Sequence, residues 1–103
     1  MKTLCNFKFR EHTTHQFIEE SIAQAIFNAE CVFGMPRVRV SGVGYYISDD
    51  GSRCLIDVST EVGEHVAQVF TGIMINTLGE EKINVRRFER ELIAASTRDL
   101  VGD

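Results

Sequence analysis

The chain has 103 residues, 44% hydrophobic and 25% charged, with eleven Lys/Arg against fifteen Asp/Glu for a formal charge of −4. That composition describes one ordinary globular domain over 1–103, with surface enough to bury one core and not two. The acidic balance excludes a general nucleic-acid coat while permitting a local basic patch.

Met1 to Asn6 holds no unbroken apolar run of the kind a secretory leader uses. The longest uncharged stretch, Val66 to Gly79, is too short and too polar to cross a bilayer, so no membrane partner is expected. Three cysteines without CxxC spacing make no disulfide framework. The expectation is a cytoplasmic protein with reduced thiols.

Leu4 to Phe9 alternates, with Cys5, Phe7 and Phe9 on one side, which predicts a half-buried strand. Thr13-Thr14-His15-Gln16 offers a capping box, Thr13 accepting and Gln16 reaching back. The helix that follows places Ile18, Ile22, Ala25, Ile26 and Ala29 on one stripe, and Gly34 and Pro36 end it. Arg37 to Ile47 alternates again, a long strand leading into Asp49-Asp50-Gly51. Glycine there can take the positive φ of a tight hairpin, and Arg53 to Ser59 returns as the second arm. Thr60 caps a second helix with Val62, Val66, Val69, Phe70, Ile73 and Thr77 along its buried stripe, and Gly79 stops it. Lys82 to Arg86 reads as a short last strand, with Ile83 and Val85 inward. From Arg87 to about Thr97 the spacing of Phe88, Leu92 and Ala95 predicts a final helix.

The order is β-α-β-β-α-β with a helix appended. Right-handed crossovers turn it into a ferredoxin-like α+β sandwich, two helices on one face of a four-stranded antiparallel sheet, plus an extra C-terminal helix. Such a fold hosts many functions and supplies none by itself.

Charge follows these elements. The strand segments 2–10, 37–47, 53–60 and 82–87 carry nine of the eleven Lys/Arg and one of the fifteen Asp/Glu. With Cys5, Phe7, Phe9, Val38, Val40, Cys54, Ile56, Val58, Ile83 and Val85 turned to the helices, the opposite face shows cations. Lys8, Arg37, Arg39 and Arg86 become the candidate ligand-binding residues, with Arg10 nearby and Asp57 as the lone acid. Arginine forks pair with carboxylates and phosphates. The bland alternative is a solvated strand surface that discourages edge pairing.

Continuing the alternation past Arg39 puts Val43, Tyr45 and Ile47 on the outer face, where Leu55 joins them. A soluble monomer rarely leaves such a patch open. A bulge at Gly42 or Gly44, the C-terminal helix or a second copy could cover it. The second copy is favoured, making these four residues a candidate interface and the protein a homodimer. Gly42-Val43-Gly44 is half of a GxGxxG pattern and is followed by a hairpin, so a phosphate loop is rejected.

No catalytic signature stands out. His12 and His15 are three apart, Glu61 and His65 four apart, but no HExxH or Cys/His cluster supplies a metal site. Ser41 lacks a GxSxG elbow, and Asp49 and Asp50 are turn formers first. No metal or cofactor is expected. The leading expectation is a non-enzymatic oligomerising module that binds an anionic small molecule or an acidic protein segment on its basic sheet face. One alternative is RNA or single-stranded DNA binding by the open sheet. It is disfavoured because only Tyr45 offers a ring there and the third strand lacks the aromatics of an RNA-recognition motif. Another is a small enzyme with His15 or His65 as acid or base.

Overall fold

The computed structural model describes residues 2–10 and 13–90. Along the chain lie β1 (Lys2–Phe9), α1 (His15–Phe33), α2 (Met35–Ser41), β2 (Tyr45–Ile47), β3 (Arg53–Asp57), α3 (Glu61–Leu78), a 3₁₀ turn (Glu80–Lys82) and β4 (Ile83–Arg90). The described residues are thus mixed α+β, with three α-helices and one four-stranded antiparallel sheet in the order β2-β3-β1-β4.

Burial of one sheet face explains the layering. Cys5, Phe7 and Phe9 alternate inward along β1, and Cys54 and Ile56 do so along β3. They meet Ile18, Ile22, Ala25 and Ala29 of α1 and Val62, Val66, Phe70 and Met74 of α3 in one core. The Phe7 and Phe70 rings meet edge to face at 4.9 Å between centroids, the favoured geometry for two quadrupoles. Buried thiols take part as small apolar groups. Burial, with the neighbouring Cys5, pushes the Cys54 thiol up to about 12.

Two close approaches fix where the helices sit on the sheet. At the hairpin tip, Gly51 has φ +73° and a Cβ there would lie 2.6 Å from the Thr13 carbonyl oxygen. Only glycine fits, and the buried Thr13 hydroxyl donates to the Gly51 carbonyl across this contact. At the start of α3, Gly63 lies against the end of β3, and a Cβ would come 3.3 Å from the Asp57 carbonyl carbon and inside contact distance of its oxygen.

Several expectations are corrected. Thr14, not Thr13, caps α1, accepting from Phe17 N at 3.0 Å, while Gln16 reaches forward to Glu20. The segment read as a strand from Arg37 is helix α2 as far as Ser41, bounded by Gly34 and Gly42, both at positive φ. Pro36 sits in its first turn, where the missing N–H breaks no hydrogen bond and the fixed φ is already helical. Val38 is buried against the core while Val40 is 88% exposed, so the Val-Arg alternation did not mark two sheet faces.

The final strand also runs on. β4 continues through Arg90 because β1 offers it eight partners, from Phe9↔Ile83 to Lys2↔Arg90. Residues 87–90 are therefore strand and not the start of a helix. The remainder of the expected C-terminal helix lies outside the described residues.

Candidate functional site

The open face of the sheet is built by register. Residues directly opposite one another in an antiparallel ladder share a face. Asn6 is paired with Leu55 on one side and Arg86 on the other, and Leu55 with Tyr46. The row Tyr46–Leu55–Asn6–Arg86 therefore crosses all four strands on the side away from Phe7. Beside it lies Arg53–Lys8–Asn84, and on its other flank Asp57–Leu4–Phe88.

Electrostatically this face is positive. Its one acid, Asp57, pairs with Lys2 at 3.6 Å. Burial alone would raise Asp57, but hydrogen bonds from Ser59 and the nearby Lys2 ammonium more than offset it and hold the carboxyl below its usual range. Lys8 and Arg86 are exposed and have no ion pair among the described residues. Acids stand on the helices and turns instead, with Glu19 and Glu20 exposed on α1, Glu61 and Glu64 opening α3, Asp49 and Asp50 in the turn after β2, and Glu80 and Glu81 in the 3₁₀ turn. Tyr46, 56% exposed, stands at the β2 edge and the half-buried Phe88 on β4 at the other. Near the centre, Asn6 Oδ1 is buried with no hydrogen-bond partner among the described residues. An acceptor left unmade in this way costs about 1–3 kcal/mol.

The expected ligand-binding set divides. Lys8 and Arg86 lie on this face. Arg37 and Arg39 do not, because they belong to α2. Arg37 pairs with Glu61 and stacks its guanidinium 4.8 Å from the centroid of the Phe33 ring, tying α2 to the ends of α1 and α3. Arg39 occupies the last turn of α2, where a cation complements the helix dipole.

The expected interface set divides too. Tyr45 is opposite Ile56 and Ile47 opposite Cys54, so both share the helix-facing side of the sheet. Ile47 is buried and Val43 is packed against the core, while Tyr45 stays 45% exposed at the β2 edge. Of the four, only Leu55 is on the open face. Counting in twos from Arg37 through a helix shifted the phase by one residue, and one residue exchanges the faces. Tyr46, Phe88, Lys2 and Arg53 are the open-face residues that sequence reading missed.

The histidines find structural company. His65 Nε2 lies 2.7 Å from Asn28 Oδ1 and its ring meets Phe33 edge-on at 5.2 Å. Glu61, expected beside His65, pairs with Arg37. On β4, Arg87 makes a bidentate bridge to Glu64, one arm at 2.7 Å, and that hydrogen bonding lowers the Glu64 carboxyl. Among the described residues, no group of three His, Cys, Asp or Glu is arranged to hold a metal, and no helix is long and apolar enough to cross a membrane. The chain matches no known protein-family model, and comparison with curated proteins finds no match.

Proposed function

We propose that this protein is a small non-enzymatic binding module that takes an anionic partner on the open face of its sheet. The observation that carries the reading is the segregation of charge. Lys8 and Arg86 stand exposed on a face whose single acid is paired with Lys2, while Glu19, Glu20, Glu30, Glu61 and Glu64 lie on the helical layer. A polyanion is attracted to one side of such a molecule and repelled by the other. The strand order β2-β3-β1-β4, in which α1 carries the chain from β1 to β2 and α3 from β3 to β4, each past one intervening strand, supports reading the fold as a ferredoxin-like sandwich to which α2 has been added.

The test is retention on immobilised heparin at low salt. The Lys8→Glu/Arg86→Glu double variant should elute at clearly lower salt than the parent protein. Equal elution of the two proteins would remove the open face as the binding surface.

A second reading is self-association, which the apolar surface of α1, α2 and β2 favours. Phe27, Val32, Met35, Val40 and Tyr45 are all substantially exposed within one stretch of chain. Large apolar side chains left open are the groups through which copies of a chain associate. Light scattering on a sizing column should give the mass of a dimer, reduced by Val40→Asp. A monomeric mass for the parent protein would dismiss this assembly.

A further inference from the structure

We infer that the anionic partner is a single-stranded nucleic acid whose bases stack on Tyr46 and whose phosphates meet Lys8 and Arg86. The inference rests on the anion-binding reading above and adds the chemical class of the ligand. Its starting point is the row Tyr46–Leu55–Asn6–Arg86, which places a phenol ring, an aliphatic group, an amide and a guanidinium side by side on one face of the sheet.

Each of these groups suits a base and its phosphate better than a carboxylate-bearing peptide. The tyrosine ring offers a π-face, and every nucleobase has a matching one, whereas a carboxylate side chain has none. Arginine serves twice, since its guanidinium can stack on a base or fork onto a phosphate. The exposed Asn84 adds an amide group that can bond to a base edge, and Phe88 supplies a second ring toward the far side of the sheet.

The dimensions also agree. Tyr46 and Phe88 are on opposite edge strands, three strand spacings apart and two residues out of step. At about 4.8 Å per strand and about 3.4 Å per residue, the two rings are separated by roughly 16 Å. A single strand covers that span with on the order of three to five nucleotides, comparable to the smaller sites on open-sheet binders. A duplex, with its bases stacked inside, could not present them to Tyr46.

Charge complementarity sets the salt dependence. Lys8 and Arg86 project from neighbouring strands of the same face. Neutralising two phosphates of a single strand gives a slope of about −1.4 in log affinity against log salt.

The experiment is fluorescence anisotropy with a labelled twelve-nucleotide oligouridylate, against inorganic polyphosphate and polyglutamate as base-free competitors. The oligonucleotide should bind at least about tenfold more tightly than polyphosphate. Tyr46→Ala should weaken it by about fivefold or more, the usual range for loss of one stacked base, while Tyr46→Phe stays within about twofold. The conservative variant controls for damage to the short β2 strand. Equal binding of oligonucleotide and polyphosphate, with Tyr46→Ala neutral, overturns the nucleic-acid assignment and leaves the anion-binding face standing. Preference for polyglutamate overturns it in favour of an acidic protein segment. Absence of binding to all three polyanions overturns both.

Discussion

Replacing two glycines of the same helix by alanine should move stability in opposite directions. Gly63 and Gly72 both belong to α3 (Glu61–Leu78). At Gly72 a Cβ meets nothing within 4 Å, so Gly72→Ala keeps only the gain in helix propensity, about 0.5–1 kcal/mol. At Gly63 the new methyl would press into the Asp57 carbonyl and come 3.2 Å from Thr60 Oγ1, the hydroxyl that caps the helix. The Asp57 carbonyl is backbone and the Thr60 hydroxyl is held by its cap hydrogen bond, so the first turn of α3 must lift from β3. Overpacking of this kind costs about 1–3 kcal/mol, and disturbing the cap adds about 1 kcal/mol. After subtracting the propensity gain, Gly63→Ala should lose about 2 kcal/mol. For a domain near 100 residues each kcal/mol moves the melting temperature by about 4–8 °C. Circular dichroism melts should therefore show Gly63→Ala roughly 8–16 °C below the parent and Gly72→Ala a few degrees above it. If both variants melt at or above the parent temperature, α3 does not dock on the end of β3 as described.

Other outcomes follow from the same structure. Of the three thiols only Cys31 is exposed, and burial raises both Cys5 and Cys54, so a disulfide-exchange reagent should titrate one thiol quickly in the native protein and three in denaturant; two fast thiols would contradict the packing of β1 on β3. Hydrogen bonds from the Ser52 side chain and backbone and from Ser48 hold Asp50 at about 2, and Arg87 holds Glu64 below its usual range. In acid the unfolded chain therefore binds more protons than the folded one, so urea midpoints should be flat above the ordinary carboxylate pKa and fall as pH drops below 3.8 toward about 2. The Asp50→Asn variant should show a shallower fall, and an unchanged profile would mean that this turn does not couple to folding. Asn6→Leu removes an unpaired buried acceptor and should stabilise the protein by about 1 kcal/mol in urea titration; a loss of stability would show that the amide is already satisfied.

Sequence pattern revealed the sheet and the two long helices because each carries many turns of one period. The stripe Ile18-Ile22-Ala25-Ala29 and the alternation Cys5-Phe7-Phe9 both proved buried. Segment 35–41 was unreadable in that way. Seven residues give barely two helical turns, and only Val38 is buried, so Arg-Val-Arg-Val mimics a strand with equal success. Its real markers were punctuation, Gly34 before Pro36 and Gly42 after Ser41, which frame a short helix. That single misreading displaced two arginines and exchanged Tyr45 for Tyr46 on the open face. Lys8, Arg86 and Leu55 kept their expected side because their phase was counted within their own strands. The full length of β4 could not be read locally either, since its partners on β1 are about eighty residues away in sequence.

The position of β1 has a consequence for synthesis. It is made first, yet it lies in the interior of the sheet, between β3 and β4. At about 5–20 residues per second, Cys5, Phe7 and Phe9 wait several seconds for residues 53–57, and longer still for 83–90. During that interval the nascent chain exposes an unpaired, Phe-bearing strand, the kind of segment that ribosome-associated holdases are suited to shield.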